Sequence, residues 1–457
     1  MNAIRLILLL LGLLALPRNM AAGNADGILI DQVWAGHPVP FALLTERGHQ
    51  FIAYYAADRR ITVAGRKLGN NQWTRVYPAG RPVPGRDHSS NAVGWDTHNS
   101  LQLALDRDGC LHLSGNMHAD PLVYYRTRVP FDVSTLERID RMTGEHENKV
   151  TYPDFFKNRE GDLLFRYRNG GSGDGSDYYN IYDSMTRTWR RFLNSPLHDG
   201  EGERNSYATT PILGPDGRFH VIWVWRETPD AATNHSLSYA RSPDLIHWET
   251  SVGRPITLPI TLAKSDVIDN AKPSGGLINM VRVLGFDPQG RPLAAYHRYD
   301  AAGNSQAYIA RPRPTGGWDI CQLSDWKFRW AFAGGGSIDA DVSLGSPQPQ
   351  KNGTVLVDYS TKVAGSGRFL LNGETLSRLA NLPPAPSVLP HTLSEVQSSR
   401  PGLFVQLQTQ RAAECTWVLR WETQGRNRDK QQVITPPPSE LRLYQFPDRS
   451  DSPLLPP

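Results

Sequence analysis

Six short polar turns, each closing on glycine, constrain the fold of this chain more than any other feature. They are Thr45-Glu46-Arg47-Gly48, Asp106-Arg107-Asp108-Gly109, Asn158-Arg159-Glu160-Gly161, Gly214-Pro215-Asp216-Gly217, Asp287-Pro288-Gln289-Gly290 and Gln350-Lys351-Asn352-Gly353. Their glycines lie 61, 52, 56, 73 and 63 residues apart, and a β-rich run follows each. In four units a tryptophan recurs at a similar offset: Trp73, Trp189, Trp248 and Trp318 lie 25, 28, 31 and 28 residues past their glycine. No convincing amphipathic helix interrupts the series. A period near sixty with hairpin chemistry is what propeller blades with generous loops give, each blade a small sheet that must stack on its neighbours. The strand pair Gly402 to Thr409 and Cys415 to Trp421 completes a seventh unit. The expectation is therefore an all-β, seven-bladed β-propeller over residues 23–432, in preference to two β-sandwiches. The Pro-rich end, 433–457, reads as an extended tail.

The first 22 residues read as a secretory signal peptide: Arg5, an apolar run from Leu6 to Leu16, and a small-residue cleavage region up to Ala22. The run is too short to span a bilayer comfortably and no later segment does better, so no membrane span is expected and the compartment is secreted or periplasmic. Removing Arg5 and Arg18 takes the formal charge from +4 to +2 over the whole chain. That balance gives no case for a nucleic-acid partner. Cys110, Cys321 and Cys415 are odd in number and far apart, giving neither a disulfide framework nor a metal spacing. No cofactor is required by any motif; a structural Ca²⁺ or other metal is compatible, with no ligand set legible. A monomer is expected.

Hairpin symmetry sorts the polar residues. About the Asp106–Gly109 turn, His98 and His118 fall almost opposite each other, at the end of the hairpin away from the turn. Tyr152 and Arg168 bracket the Asn158–Gly161 turn in the same way. Cross-strand neighbours have Cβ atoms about 5 Å apart, and equivalent hairpin ends of adjacent blades share one face, so these four should converge on one cleft. The fourth unit adds Tyr207, Trp225 and Arg226, the fifth adds His297, and the first offers His37 in Gly36-His37-Pro38. Singly, each has a plainer reading: a histidine or tyrosine packed beside a strand, or Arg168 paired with Asp174 or Asp177. The glycines of 169–175 lack the Lys-Ser/Thr ending of a phosphate loop. No nucleophile elbow, zinc-protease motif or convincing acid pair for ordinary glycoside hydrolysis is present. Cleavage of a uronate polysaccharide by β-elimination does want this set. The carboxylate must be neutralised before the C5 proton is acidic enough, a base takes that proton, and an acid protonates the departing O4. Arg supplies a planar fork for a carboxylate, and His and Tyr suit proton transfer.

Several segments carry a family resemblance: Gly94-Trp95-Asp96-Thr97-His98-Asn99-Ser100, Leu111 to His118, Tyr207-Ala208-Thr209-Thr210-Pro211, Trp223 to Asp230 and Thr233 to Ser242. They resemble the BNR-4 (bacterial neuraminidase-type repeat) proteins, over about Trp34 to Trp318. That group includes seven-bladed propeller polysaccharide lyases, among them ulvan lyases and L-rhamnose-α-1,4-D-glucuronate lyases, and α-L-rhamnosidases of the same linkage. The resemblance implies catalytic roles for His98, His118, Tyr152 and Arg168. It also implies a further substrate arginine at Arg226, and a rhamnosidase-type histidine at His37. Both sets are carried, so the resemblance alone leaves lyase and hydrolase open, as it does the division of base and acid between Tyr152 and a histidine. A lyase is the leading expectation, with the α-L-rhamnosidase and a non-catalytic carbohydrate-binding propeller as alternatives. The implied substrate is a uronate-containing polysaccharide or oligosaccharide; Tyr207, Trp225 and His297, placed by their hairpin positions, are expected as further binding residues. The strict Asp-box and arginine triad of true sialidases are not recognisable.

Overall fold

The computed structural model describes residues 26–387 and 389–448; the expected signal peptide lies outside them. Among the described residues the architecture is all-β, with four short 3₁₀ turns and no α-helix. Seven antiparallel sheets follow one another. The first runs Ala42–Glu46, His49–Tyr55, Ile61–Lys67, Thr74–Val76, and the second Leu101–Leu105, Leu111–Gly115, Tyr124–Thr127, Leu136–Arg138. The third joins His118–Asp120 to Val150–Lys157, Leu163–Asn169, Ser176–Asp183 and Thr188–Arg191. The fourth is built on Asn205–Ala208, Phe219–Arg226 and Asn234–Ser242, and the fifth on Arg282–Phe286, Pro292–Tyr299, Ser305–Pro312 and Trp318–Gln322. Thr354–Thr361 and Gly365–Asn372 centre the sixth.

The seventh sheet departs from the expected boundaries. Leu403–Ala412 and Cys415–Gln424 pair as anticipated, but Ser439–Pro447 is a third strand on Cys415–Gln424, and the N-terminal strand Ile28–Val33 lies beyond it. The segment read as a tail is thus a strand up to Pro447. Alternation over its first half marks it: Leu441 and Leu443 are buried, while Glu440 is exposed and Arg442 partly so.

The turn glycines do what the sequence asked of them. Gly48, Gly109, Gly161, Gly217, Gly290 and Gly353 all have φ between 73° and 90°, a region that glycine enters without steric cost. The recurrent tryptophans cap the hairpins: Trp189, Trp248 and Trp318 sit on late strands of their sheets, each buried. Apolar clusters bind sheet to sheet. One unites the seventh, first, second and third; others join third to fourth, fourth to fifth and fifth to sixth. At about 25 cal/mol per Å² of apolar surface removed from water, this face-to-face burial is the main stabilising contribution.

Candidate active site

The four residues placed together by hairpin symmetry do meet, by a route with one irregularity. His98 precedes the strand Leu101–Leu105, whereas His118 opens the strand His118–Asp120, where the chain has already crossed to the third sheet. The ring centroids of the two histidines are 4.4 Å apart. Tyr152 lies 6.0 Å from the first and 6.1 Å from the second. It reaches them through a bulge: pairing with Leu163–Asn169 shifts register between Thr151 and Asp154, and Tyr152 adopts φ 53°. Such a bulge re-aims a side chain, at a backbone cost of about 1–2 kcal/mol for a non-glycine residue. Asn116 and Ala119, beside His118, share the left-handed conformation, so strain gathers here, as it does at functional sites.

Asp96 organises the pair, and it is the residue that the sequence reading passed over. One carboxylate oxygen accepts from the His98 backbone N–H at 2.8 Å and meets His98 Nδ1 at 2.7 Å; the other meets His118 Nδ1 at 2.5 Å. Burial alone would raise the Asp96 pKa, but the hydrogen bonds and charges of His118 and His98 outweigh it, holding the carboxyl well below the usual range. His98 is pushed the other way, up to about 9: burial opposes protonation, and hydrogen bonds to Asp429 and Asp96 overcome it. An ionised carboxylate only accepts, so both Nδ1 atoms carry hydrogen. Asp96, His98 and His118 are close enough to suggest a metal ion, but a cation there would have to displace both protons. The contacts are accounted for as hydrogen bonds.

Arg168 lies buried against the Tyr152 and Tyr207 rings. Only 1% exposed, its guanidinium packs 5.0 Å from the Tyr152 ring and 5.5 Å from the Tyr207 ring. Its Nε donates to the Gly170 carbonyl at 3.3 Å, while Nη1 and Nη2 make no well-formed hydrogen bond among the described residues, although the guanidinium charge acts on the Tyr207 hydroxyl. The plainer pairings do not form. Asp177, its cross-strand neighbour, is taken by His198 and Ser206, and Asp174 accepts from the Gly171 N–H. A buried guanidinium with an idle fork is costly, and a planar anion is its natural complement. A Cβ on Gly175 would come 2.6 Å from Arg168 Cδ, so that glycine gives the side chain its room.

Tyr207 and Arg226 extend the cleft. Arg226 Nη1 donates to the Tyr207 hydroxyl at 3.0 Å, and Ser172 Oγ shares a 2.6 Å bond with the same oxygen. Burial would raise the Tyr207 phenol, but Arg168, Arg226 and Ser172 outweigh it and lower its pKa. Burial and the nearby Tyr207 instead raise Tyr152, against the pull of Arg168 and Arg226. The Tyr152 hydroxyl has no protein hydrogen bond among the described residues.

Two expected site residues are elsewhere, and a third, His37, is enclosed directly behind the backbone of Asp96. Trp225 is fully buried beneath the fourth sheet, its indole N–H on Ser265 Oγ at 3.1 Å. Strand alternation explains this: Arg226 faces the cleft, so its neighbour Trp225 faces the core. His297 is also fully enclosed, with Nδ1 on the Gly276 carbonyl at 2.7 Å and Trp330 packed at 5.4 Å; burial lowers its pKa to about 4. His37 is 1% exposed, accepting the Trp34 indole N–H at 3.0 Å and packed on Trp95 at 5.7 Å; burial lowers it too to about 4. All three side chains are enclosed, and Nε2 of His37 and of His297 is buried without a hydrogen-bond partner among the described residues.

The sequence model of the BNR repeat-containing family matches residues 49–326. The chain belongs to the BNR repeat-containing family. Among curated relatives, this BNR repeat protein is 27% identical over 252 residues to the ulvan lyase short isoform of Alteromonas sp. (strain LOR), covering 42% of this chain and 47% of that one. It is 30% identical over 228 residues to the ulvan lyase long isoform of Pseudoalteromonas sp. (strain PLSV), covering 39% and 22%. The chain thus spans less than half the length of either curated relative. Two solved structures share the fold of this BNR repeat chain at a TM-score of 0.58. They are the polysaccharide lyase Uly1 (14% identity, 93% of this chain and 98% of that one) and a PL25 ulvan lyase bound to -[GlcA(1-4)Rha3S]- (13% identity, 92% and 96%). Among the described residues no helix is long and apolar enough to cross a membrane.

Proposed function

We propose that this chain is a secreted, monomeric seven-bladed propeller lyase. It cleaves the bond to O4 of a glucuronate by β-elimination, at L-rhamnose-α-1,4-D-glucuronate linkages of arabinogalactan- or gum-type glycans. The observation that carries the reading is the idle, buried fork of Arg168 beneath Tyr152 and beside two histidines that share one carboxylate. The seven sheets serve as blades, and the pairing of Ile28–Val33 with Ser439–Pro447 closes the ring. The ulvan lyase relatives, and a solved structure of the same fold that holds a glucuronate-containing disaccharide repeat, support the same class.

The chemistry follows from the groups. Arg168 and protonated His98 take the uronate carboxylate, lowering the pKa of the C5 proton. His118 accepts that proton, the C4–O4 bond breaks as the C4=C5 double bond forms, and O4 leaves with the electron pair. Tyr152, kept protonated by burial, gives O4 its proton. Because the Arg168 fork is covered in the free protein, productive binding displaces the Tyr152 ring or the adjoining 170–175 loop, in keeping with catalytic contacts that tighten only on binding. Proton transfer of this kind contributes about 10²–10⁴-fold, and charge stabilisation at the carboxylate about 10²–10³-fold.

Incubation with a rhamnosyl-glucuronate glycan tests the reading, which expects an ultraviolet-absorbing 4,5-unsaturated uronate. Release of rhamnose from an intact, saturated glucuronate would sink it. That hydrolase alternative rests on His37, which is buried against Trp34 and Trp95 behind Asp96.

A further inference from the structure

The two histidines are bound unequally. Asp96 serves both, but Asp429 Oδ2 also approaches His98 Nδ1, at 3.3 Å, and no second carboxylate meets the His118 ring among the described residues. Asp429 belongs to the connection between Cys415–Gln424 and Ser439–Pro447, and it is fastened in place. Its Oδ1 accepts from the Thr97 N–H at 3.1 Å and from Thr97 Oγ1 at 3.2 Å. Two residues back, Asn427 accepts the Asp429 N–H at 3.1 Å and donates to the Trp95 carbonyl at 2.8 Å. Arg428 and Asp429 both have positive φ, 55° and 60°, a conformation that non-glycine residues keep only where surroundings enforce it.

The charged and titratable groups nearest His98 are the following, with Asp87, His88 and Asp120 lining the same recess as Asp96 and Asp429. Asp96 and Asp429 contact its Nδ1, the His118 ring lies 4.4 Å away and the Tyr152 ring 6.0 Å away. Arg86 is committed to Asp120 and the His118 carbonyl, and Arg168 lies on Tyr152. Two carboxylates therefore converge on one imidazole; Arg86 attracts Asp96 at longer range, but among the described residues no guanidinium hydrogen-bonds to either carboxylate.

We propose that Asp429 is a positioning residue that divides the labour of the two histidines: with Asp96 it holds His98 as the imidazolium for the substrate carboxylate, leaving His118 to move the proton. The proposal rests on the lyase reading above and adds a residue from the far end of the chain to that site. Removing one of two carboxylates within contact distance should lower the midpoint of the imidazole by about 1 pH unit or more.

The test is histidine-labelled NMR on the full chain, with the His98 signals assigned by their loss in His98→Asn. In the wild type, His98 titrating near pH 9 supports the proposal; titration at or below 6.5 overturns it. In Asp429→Asn, which keeps a carbonyl oxygen for Thr97, the His98 midpoint falls and the alkaline limb of kcat/KM falls with it, while Asp429→Glu restores both. An unmoved His98 midpoint in a folded Asn variant, or equal movement of both histidines, overturns the proposal. The wild-type titration decides the matter even if the variant misfolds. If no glycan yields an unsaturated product, the lyase reading falls, and the His98 titration still tests the hold of Asp429 separately.

Discussion

The rings of His98 and His118 stand 4.4 Å apart, centroid to centroid, on opposite sides of the crossing from the second sheet to the third. A hairpin of one sheet therefore does not make the site alone. Asp96 ties the two rings together across the junction, and the Tyr152 bulge enters from the third sheet. The site is a property of how two sheets are packed, and changes at that junction should be read in its chemistry.

Arg168 provides the sharpest test. Lysine at this position offers a point charge in place of a planar fork. Arg168→Lys should lower kcat/KM by about 10²–10³-fold, on the scale of one lost charge-stabilising contact, measured as unsaturated uronate formed. Wild-type rates in this variant would remove the fork from the mechanism.

Tyr152→Phe keeps the ring and deletes a hydroxyl that no protein group uses. The expected result is a loss of about 10²–10⁴-fold in kcat with an unchanged melting temperature. Tyr207→Phe should behave differently. It breaks bonds to Ser172 and Arg226, so it should cost about 1 kcal/mol of stability or somewhat more, read by denaturant unfolding.

His37→Ala separates packing from chemistry. The substitution empties a buried site and strands the Trp34 indole N–H, which should destabilise the fold by about 1–3 kcal/mol. Lyase turnover per folded molecule should survive. A folded but inactive His37→Ala protein would instead favour the rhamnosidase scheme.

Stability should depend on pH through His98. Its folded-state pKa, about 9, exceeds its ordinary 6.5, so its contribution is complete below pH 6.5 and is lost as pH rises through about 9. Thermal melts across that window should fall more steeply for the wild type than for His98→Asn. Equal slopes would mean that the imidazolium is not held by the fold.

Deleting residues 433–457 should prevent stable folding, since it removes Ser439–Pro447 from between Cys415–Gln424 and Ile28–Val33. Circular dichroism and protease resistance report this directly. A truncated protein that melts like the full chain would return this stretch to the status of a tail.

Much of this was legible in local chemistry. The turn glycines required positive φ, and the twenty-residue step from His98 to His118 was symmetric about one of those turns. Other parts had weaker signals. Asp96 stands two residues before His98, a spacing that lets one carboxylate meet both the backbone N–H and the ring, yet lone carboxylates are common. Asp429 lies more than three hundred residues from Thr97 in sequence and has no local mark. The last strand hid its alternating Leu441 and Leu443 behind a run of prolines. Trp225 and His297 were assigned to the cleft by position along the strand; period-two alternation separates Trp225 from Arg226, and enclosure by Trp330 and Tyr299 takes His297 out of reach.

Apart from a single bridge between Val33 and Ala56, the strand Ile28–Val33 has its ladder among the described residues with Ser439–Pro447. Nearly the whole chain must be synthesised before the first strand can acquire its ladder. Bringing such distant segments together carries a loop-closure entropy that local hairpins avoid, and it places the last step of folding among slow, non-local events. Through that interval the edges of Ile28–Val33 and Cys415–Gln424 stay unpaired and open to association with other chains. A ribosome-bound chain is therefore aggregation-prone at such unpaired strand edges first, and yield on expression should respond to chaperones that shield those two strands.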